Sequence, residues 1–154
     1  MRHRHTPARE LAMQLLFQKD LHPSISDDAV TNQIQRILSE PDLQLWTQEA
    51  VEKTLAELES IDAKLSMAAE NWKLSRMTPI DRNILRLGAH ELCQKNLPAP
   101  VVLDEAVELA KKYGSADSPA FINGVLDRLH RDLMTPKAAE PAPVENNLSA
   151  NIPD

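Results

Sequence analysis

Apolar residues recur every three or four positions along most of this chain, and nowhere do they alternate with the period of two that a half-buried strand requires. The pattern predicts seven helices. The first opens at Thr6-Pro7, a capping residue followed by a proline whose missing N–H costs nothing at a helix start. It buries Ala8, Leu11, Ala12, Leu15 and Leu16, with Met13 and Phe17 widening the face. A second starts at Ser26, places Asp27 and Asp28 where carboxylates suit the helix dipole, and carries Val30, Ile34, Ile37 and Leu38. A third runs from Pro41 to Leu58 and buries Leu43, Trp46, Ala50, Val51 and Leu55. A fourth begins at Ser60, with Ile61, Leu65, Ala68, Ala69 and Trp72 on one face.

The sharpest boundary is "TPID". There Thr78 is the cap, Pro79 the first helical residue, and Asp81 stands where a capping box puts its carboxylate. The fifth helix buries Ile80, Ile84, Leu87, Gly88 and Leu92 before "NLPAP" breaks the chain. A sixth carries Leu103, Ala106, Val107, Ala110 and Tyr113. Gly114 is expected to close it in a left-handed conformation, and Ser118-Pro119 to restart a seventh through Phe121, Ile122, Val125, Leu126 and Leu129. Gly124 lies inside that last helix, where glycine costs about 1 kcal/mol relative to alanine; a close-packed backbone is expected against it, with the Asn123 amide beside it satisfying a buried helix end. After Met134 the segment "TPKAAEPAPVENNLSANIPD" has four prolines and no apolar period, which reads as a disordered tail. The division is therefore residues 1–134, a helical domain, and 135–154, a tail.

Composition supports this picture. Three glycines and five aromatic residues among 154 do not supply the turns and β-branched or aromatic strands of an all-β fold. No apolar run approaches a membrane span, and no secretory leader is visible. The one cysteine, Cys93, cannot form an internal disulfide and fits a reducing, cytoplasmic setting. The net charge of −6 is unevenly spread: residues 1–19 carry +3, residues 20–72 carry −8, and residues 73–95 carry +3. A basic N-terminal arm and a basic fifth helix sharing a face would suit an anionic partner despite the acidic total.

The segments "ARELAMQLLFQ", "RMTPIDRNILRLGAHEL" and "DEAVELAKKYGSADSPAFINGVLDRL" resemble the NusB family of transcription antitermination factors over roughly residues 6–134. A similar helical domain precedes the catalytic domain of certain rRNA cytosine methyltransferases, for which 154 residues leave no room. The resemblance implies an all-α fold of two small three-helix subdomains with an extra helix, no catalysis and no cofactor. It further implies pairing with the ribosomal protein NusE, binding of boxA RNA in nascent rRNA leader transcripts, and assembly on RNA polymerase.

Site residues follow from the resemblance. Arg2, Arg4 and Arg9 fall on the family's RNA-binding arm and first helix, although His5, Thr6 and Pro7 stand where other members have arginines. With fewer guanidinium groups, arm binding is expected to be weaker, or more pH-dependent through His3 and His5. Arg86 matches a basic position of the central helix; on spacing alone Arg82, Arg86 and His90 form a solvated stripe. In "GSADSPAF", N–H groups at a helix start suit a phosphate and an outward Phe121 suits a base. Ser115, Asp117 and Phe121 are thus expected at the RNA, with Lys111 and Lys112 extending the basic rim and Asp117 orienting the corner. Asp81 matches a position facing NusE, and Phe17 and Tyr113 are assigned to the same partner. His90 and Cys93 are a possible metal pair but too few for a metal site. An alternative from a different class is a helical protein-interaction module, homodimeric and without RNA binding.

Overall fold

A computed structural model of the protein describes residues 4–135. The Arg2 and tail assignments lie outside those residues. Among them the chain forms seven α-helices and no strand: α1 (Thr6–Leu21), α2 (Asp27–Ile37), α3 (Pro41–Ala56), α4 (Leu58–Ala68), α5 (Pro79–Gln94), α6 (Ala99–Tyr113) and α7 (Ser118–Met134), with a short 3₁₀ turn, Leu74–Arg76, before α5. The all-α expectation holds, helix by helix.

Helix α5 is the hub. It packs against α1, α3, α4, α6 and α7, while α2 is attached through α3. Its position explains why nine of its residues, from Asn83 to Leu92, are buried, and why Gly88 lies on it. A Cβ there would come within 2.7 Å of Leu126 Cδ1 on α7. The core is otherwise aliphatic, with Leu15, Ile34, Leu65, Leu85 and Leu126 each at most 1% exposed.

Local starts and stops follow the sequence in part. Ser26 caps α2 by accepting the Ala29 N–H at 3.1 Å, and Thr78 caps α5 by accepting the Asp81 N–H at 3.2 Å. The return half of that capping box is missing, since Asp81 Oδ1 is buried without a partner. Thr6 is no cap. It is already helical, and its hydroxyl donates to Glu105 on α6 at 3.2 Å. The left-handed residues are Glu70 and Lys95 rather than a glycine. Lys95 closes α5. Glu70 follows the end of α4, so Trp72 leaves the helical register that was expected to bury it and stands 58% exposed.

Two glycine expectations are corrected. Gly114 is extended, not left-handed (φ −90°, ψ −171°). It is needed for space, because a Cβ there would lie 2.5 Å from Ser118 Oγ and 2.8 Å from the Ala110 carbonyl oxygen. Gly124 faces open space with nothing within 4 Å of a built Cβ, so no backbone packs against it, and Asn123 is exposed beside it.

Candidate RNA and partner interface

The α6–α7 corner is built around Ser118, which is 2% exposed although a capping serine was expected. Its Oγ accepts the Ser115 N–H at 2.9 Å and lies 3.2 Å from Ser115 Oγ. That bond pins the loop and leaves Ser115 and Asp117 exposed at the start of α7. One turn on, Phe121 is half-buried and meets Trp72 edge to face, ring centroids 5.8 Å apart at 69°. Between this aromatic pair and the start of α5 lies an open cleft of about 260 Å³, which also admits Arg76, Asp81 and Asp117. The structure therefore brings four expected residues together: Asp81, Ser115, Asp117 and Phe121. It adds two that the sequence reading missed, Trp72 and Arg76. The sequence pattern put Trp72 in the α4 stripe, and only the left-handed turn at Glu70 carries it out to the cleft.

The other α6 residues form a second cluster against α1. Lys112 Nζ lies 2.6 Å from Glu10 Oε1 and 5.4 Å from the centre of the Tyr113 ring. The Tyr113 hydroxyl donates to Glu10 and accepts from Gln14 Nε2, the latter at 3.0 Å. Burial first, and the Glu10 hydrogen bond second, push the Tyr113 hydroxyl above its ordinary range. Lys111 pairs with Glu108 at 3.2 Å, and both lysines remain largely exposed. Phe17 is partly exposed on α1. Arg4 folds back on the α2–α3 connection, with guanidinium nitrogens 2.6 Å from Glu40 and 2.5 Å from Asp42. Its hydrogen bond holds the Asp42 carboxyl below the usual range.

Arg9 and Arg86 are corrections. Arg9 is 2% exposed; its Nε donates to Glu91 at 2.8 Å and its guanidinium lies 5.2 Å from the Trp46 ring centre. Arg86 is 9% exposed and forks onto Asp62 through Nε at 2.9 Å and NH2 at 2.8 Å, with NH1 3.4 Å from Asp20. Both guanidinium groups are committed to holding helices together, so neither presents an open phosphate-binding fork. The solvated stripe on α5 is likewise absent: Arg82 pairs with Asp20 at 2.7 Å and His90 is 4% exposed. The physical reason is that α5 has neighbours on nearly every side, so four-residue spacing selects no solvent face. Among the described residues no cluster of His, Cys, Asp and Glu has the makings of a metal site. Burial pushes the Cys93 thiol upward, leaving it protonated and unreactive. No described helix is long and apolar enough to cross a membrane.

Comparison with known proteins identifies the family and fold. Residues 6–131 match the NusB family model. The chain is 42% identical over 126 residues to the transcription antitermination protein NusB of Sorangium cellulosum (strain So ce56), covering 81% of this chain and 90% of that protein. Its fold matches the structure of T. maritima NusB with a TM-score of 0.75 at 30% identity, covering 86% of this chain and 94% of that one. It also matches a crystal structure of the antitermination factors NusB and NusE in complex with dsRNA, with a TM-score of 0.75 at 25% identity, covering 82% of this chain and 96% of that one. With its helices in this arrangement and two-thirds of its length and more aligned to proteins of that name, the chain belongs to the NusB family of transcription antitermination factors.

Proposed function

We propose that the protein acts by binding alone: it pairs with the ribosomal protein NusE, and the pair holds boxA RNA of nascent rRNA transcripts for the antitermination complex on RNA polymerase. The observation that carries this is the cleft where Trp72 and Phe121, two aromatic side chains with exposed edges, stand beside Asp81 and the α6–α7 corner. A single-stranded RNA needs aromatic surface on which bases stack and cations that follow its backbone. The cleft supplies the first, while Arg76, Lys111, Lys112 and the arm residues Arg2 and Arg4 supply the second. Support comes from the fold shared with a NusB that was crystallised with NusE and RNA. Asp81 and Asp117 sit on the cleft rim and repel phosphate, which suits them to a partner contact and to orienting the corner. Phe17 and Tyr113 extend the proposed NusE-facing surface. Arg9 and Arg86 support the site from behind rather than touching RNA.

The test is anisotropy of a labelled boxA RNA with the protein, with NusE, and with both, across a salt series. Tighter binding by the pair, with a slope of log affinity near −0.7 for each phosphate neutralised, is expected. Phe121→Ala should weaken RNA binding about tenfold or more, on the scale of one lost base stack, while NusE binding persists. RNA that fails to respond at every salt while NusE still binds would make the chain an interaction module instead.

A further inference from the structure

At the far end of α5 lies a second cavity, separate from the cleft and bordered by Trp46 and Glu91, the two groups that hold Arg9. It is about 120 Å³ in volume and is walled by Trp46, Lys53, His90, Gln94, Asn96 and Leu97, with Glu49 at its edge. His90 is 4% exposed, and its Nδ1 is buried with no hydrogen-bond partner. A buried polar nitrogen without a partner is costly. The His90 ring lines a space with room for several waters or for one small planar ring. Burial, opposed by Glu57 and assisted by Lys53, lowers the His90 pKa. The imidazole is therefore neutral at physiological pH, with one nitrogen to donate and one to accept.

The remaining groups narrow the ligand class. Gln94 and Asn96 bond to each other, Asn96 Nδ2 donating to Gln94 Oε1 at 3.2 Å. That leaves the Gln94 amide nitrogen and the Asn96 carbonyl oxygen as an adjacent donor and acceptor. One carboxylate, Glu49, and one ammonium, Lys53, cancel in charge, and Glu91, paired with Arg9, also lines the wall. An anion would meet two carboxylates. A metal ion would find no sufficient set of ligands among the described residues. A neutral, planar heterocycle with alternating donors and acceptors meets a flat indole wall, an apolar Leu97 and paired amides. The cavity also sits beneath the N-terminal arm: the His5 ring lies 5.4 Å from the Trp46 ring and the Arg9 guanidinium lies over it.

We propose that this cavity is a binding pocket for one unpaired nucleobase, with Gln94 and Asn96 reading its edge and the His90 ring forming part of its wall. For an RNA source this rests on the RNA-binding reading above; a free nucleoside carries the same chemistry without it. The experiment uses protein labelled with 5-fluorotryptophan, in which Trp46 and Trp72 give two separate ¹⁹F signals. It is titrated in one arm with the four nucleosides and in the other with boxA RNA plus NusE. The expected result is a saturable shift of the Trp46 signal by RNA, by a nucleoside, or by both. In the double variant Gln94→Ala/Asn96→Ala, both exposed positions, the shift should vanish and affinity fall about tenfold, the scale of one lost amide–base pairing. RNA that binds by anisotropy but leaves Trp46 unmoved, together with silent nucleosides, overturns the pocket and spares the RNA reading. A Trp46 shift retained at full affinity in the double variant also overturns it, because arm ordering then explains the signal. If RNA does not bind at all, the RNA reading falls and the nucleoside arm alone decides the pocket.

Discussion

Helices α1 and α5 run antiparallel, and an arginine–carboxylate contact clamps each end of the seam; the two clamps are built in opposite ways. At one end Asp20 receives Arg82 Nε at 2.8 Å and Asn83 Nδ2 at 2.9 Å, with Arg86 at 3.4 Å. Burial alone would raise the Asp20 pKa, but these donors and charges prevail and hold it below its ordinary range. At the other end Glu91 lies deeper, with Arg9 as its one cationic partner, and burial pushes its pKa up despite that partner. The contrast teaches that an ion pair's character is set by how many donors the carboxylate collects against how much water it loses. The Asp20 clamp favours the charged form. The Glu91 clamp tolerates it.

The largest expected effect comes from breaking the deeper clamp. Arg9→Ala strands Glu91 and empties the space over Trp46, and should cost about 3–5 kcal/mol in urea unfolding at pH 7. A loss below about 1 kcal/mol would place the pair with ordinary surface bridges and erase the contrast. Asp20→Ala removes an acceptor shared by three side chains and should cost about 2–3 kcal/mol under the same conditions. The pH dependence sharpens the comparison further. Because Asp20 is depressed, its contribution is complete above the ordinary carboxylate pKa and disappears as pH falls through its folded value. The deficit of Asp20→Ala should therefore close in acid. Glu91 is raised, so its contribution is complete below the ordinary carboxylate pKa and disappears as pH rises through its folded value. The difference between wild type and Glu91→Gln should grow in acid and shrink toward neutrality. Parallel slopes for the two variants, measured by unfolding from pH 3 to 7, would sink this account.

Helix count and most starts were legible because they depend on neighbours in sequence: the apolar period, Ser26 and Thr78 as caps, and the prolines at Pro41, Pro79 and Pro119. What sequence could not show was which side chains meet across helices. Arg9 looked like part of a basic arm, yet its position beside Ala8 and one turn before Leu11–Met13 faces α5 and α3. Arg86 looked solvated because a charge every four residues usually is. Only the crowding around α5 turns it inward, onto Asp62 and Asp20. Of the candidate site, the corner residues were legible through the resemblance, whereas Trp72 required knowing that Glu70 ends α4 in a left-handed turn. The glycines exchanged roles for the same reason. Gly88 and Gly114 are the glycines pressed against neighbours, and Gly124→Ala should stabilise the protein, by about 0.5–1 kcal/mol. That smallest effect is also visible in urea unfolding, and a loss instead would mean that something covers α7 at that point.

The antiparallel seam has a consequence for the order of events during synthesis. The apolar face of α1 and the Arg9 guanidinium are sealed only once Glu91 and the rest of α5 exist. At roughly 5–20 residues per second, the stretch from Leu21 to Gln94 takes about 4–15 s to emerge. Through that interval the first helix can pack on α3 but stays open along the face that α5 will cover. A chaperone acting on this chain therefore meets its longest-lived sticky surface at the beginning of the polypeptide, and releases it when the fifth helix arrives.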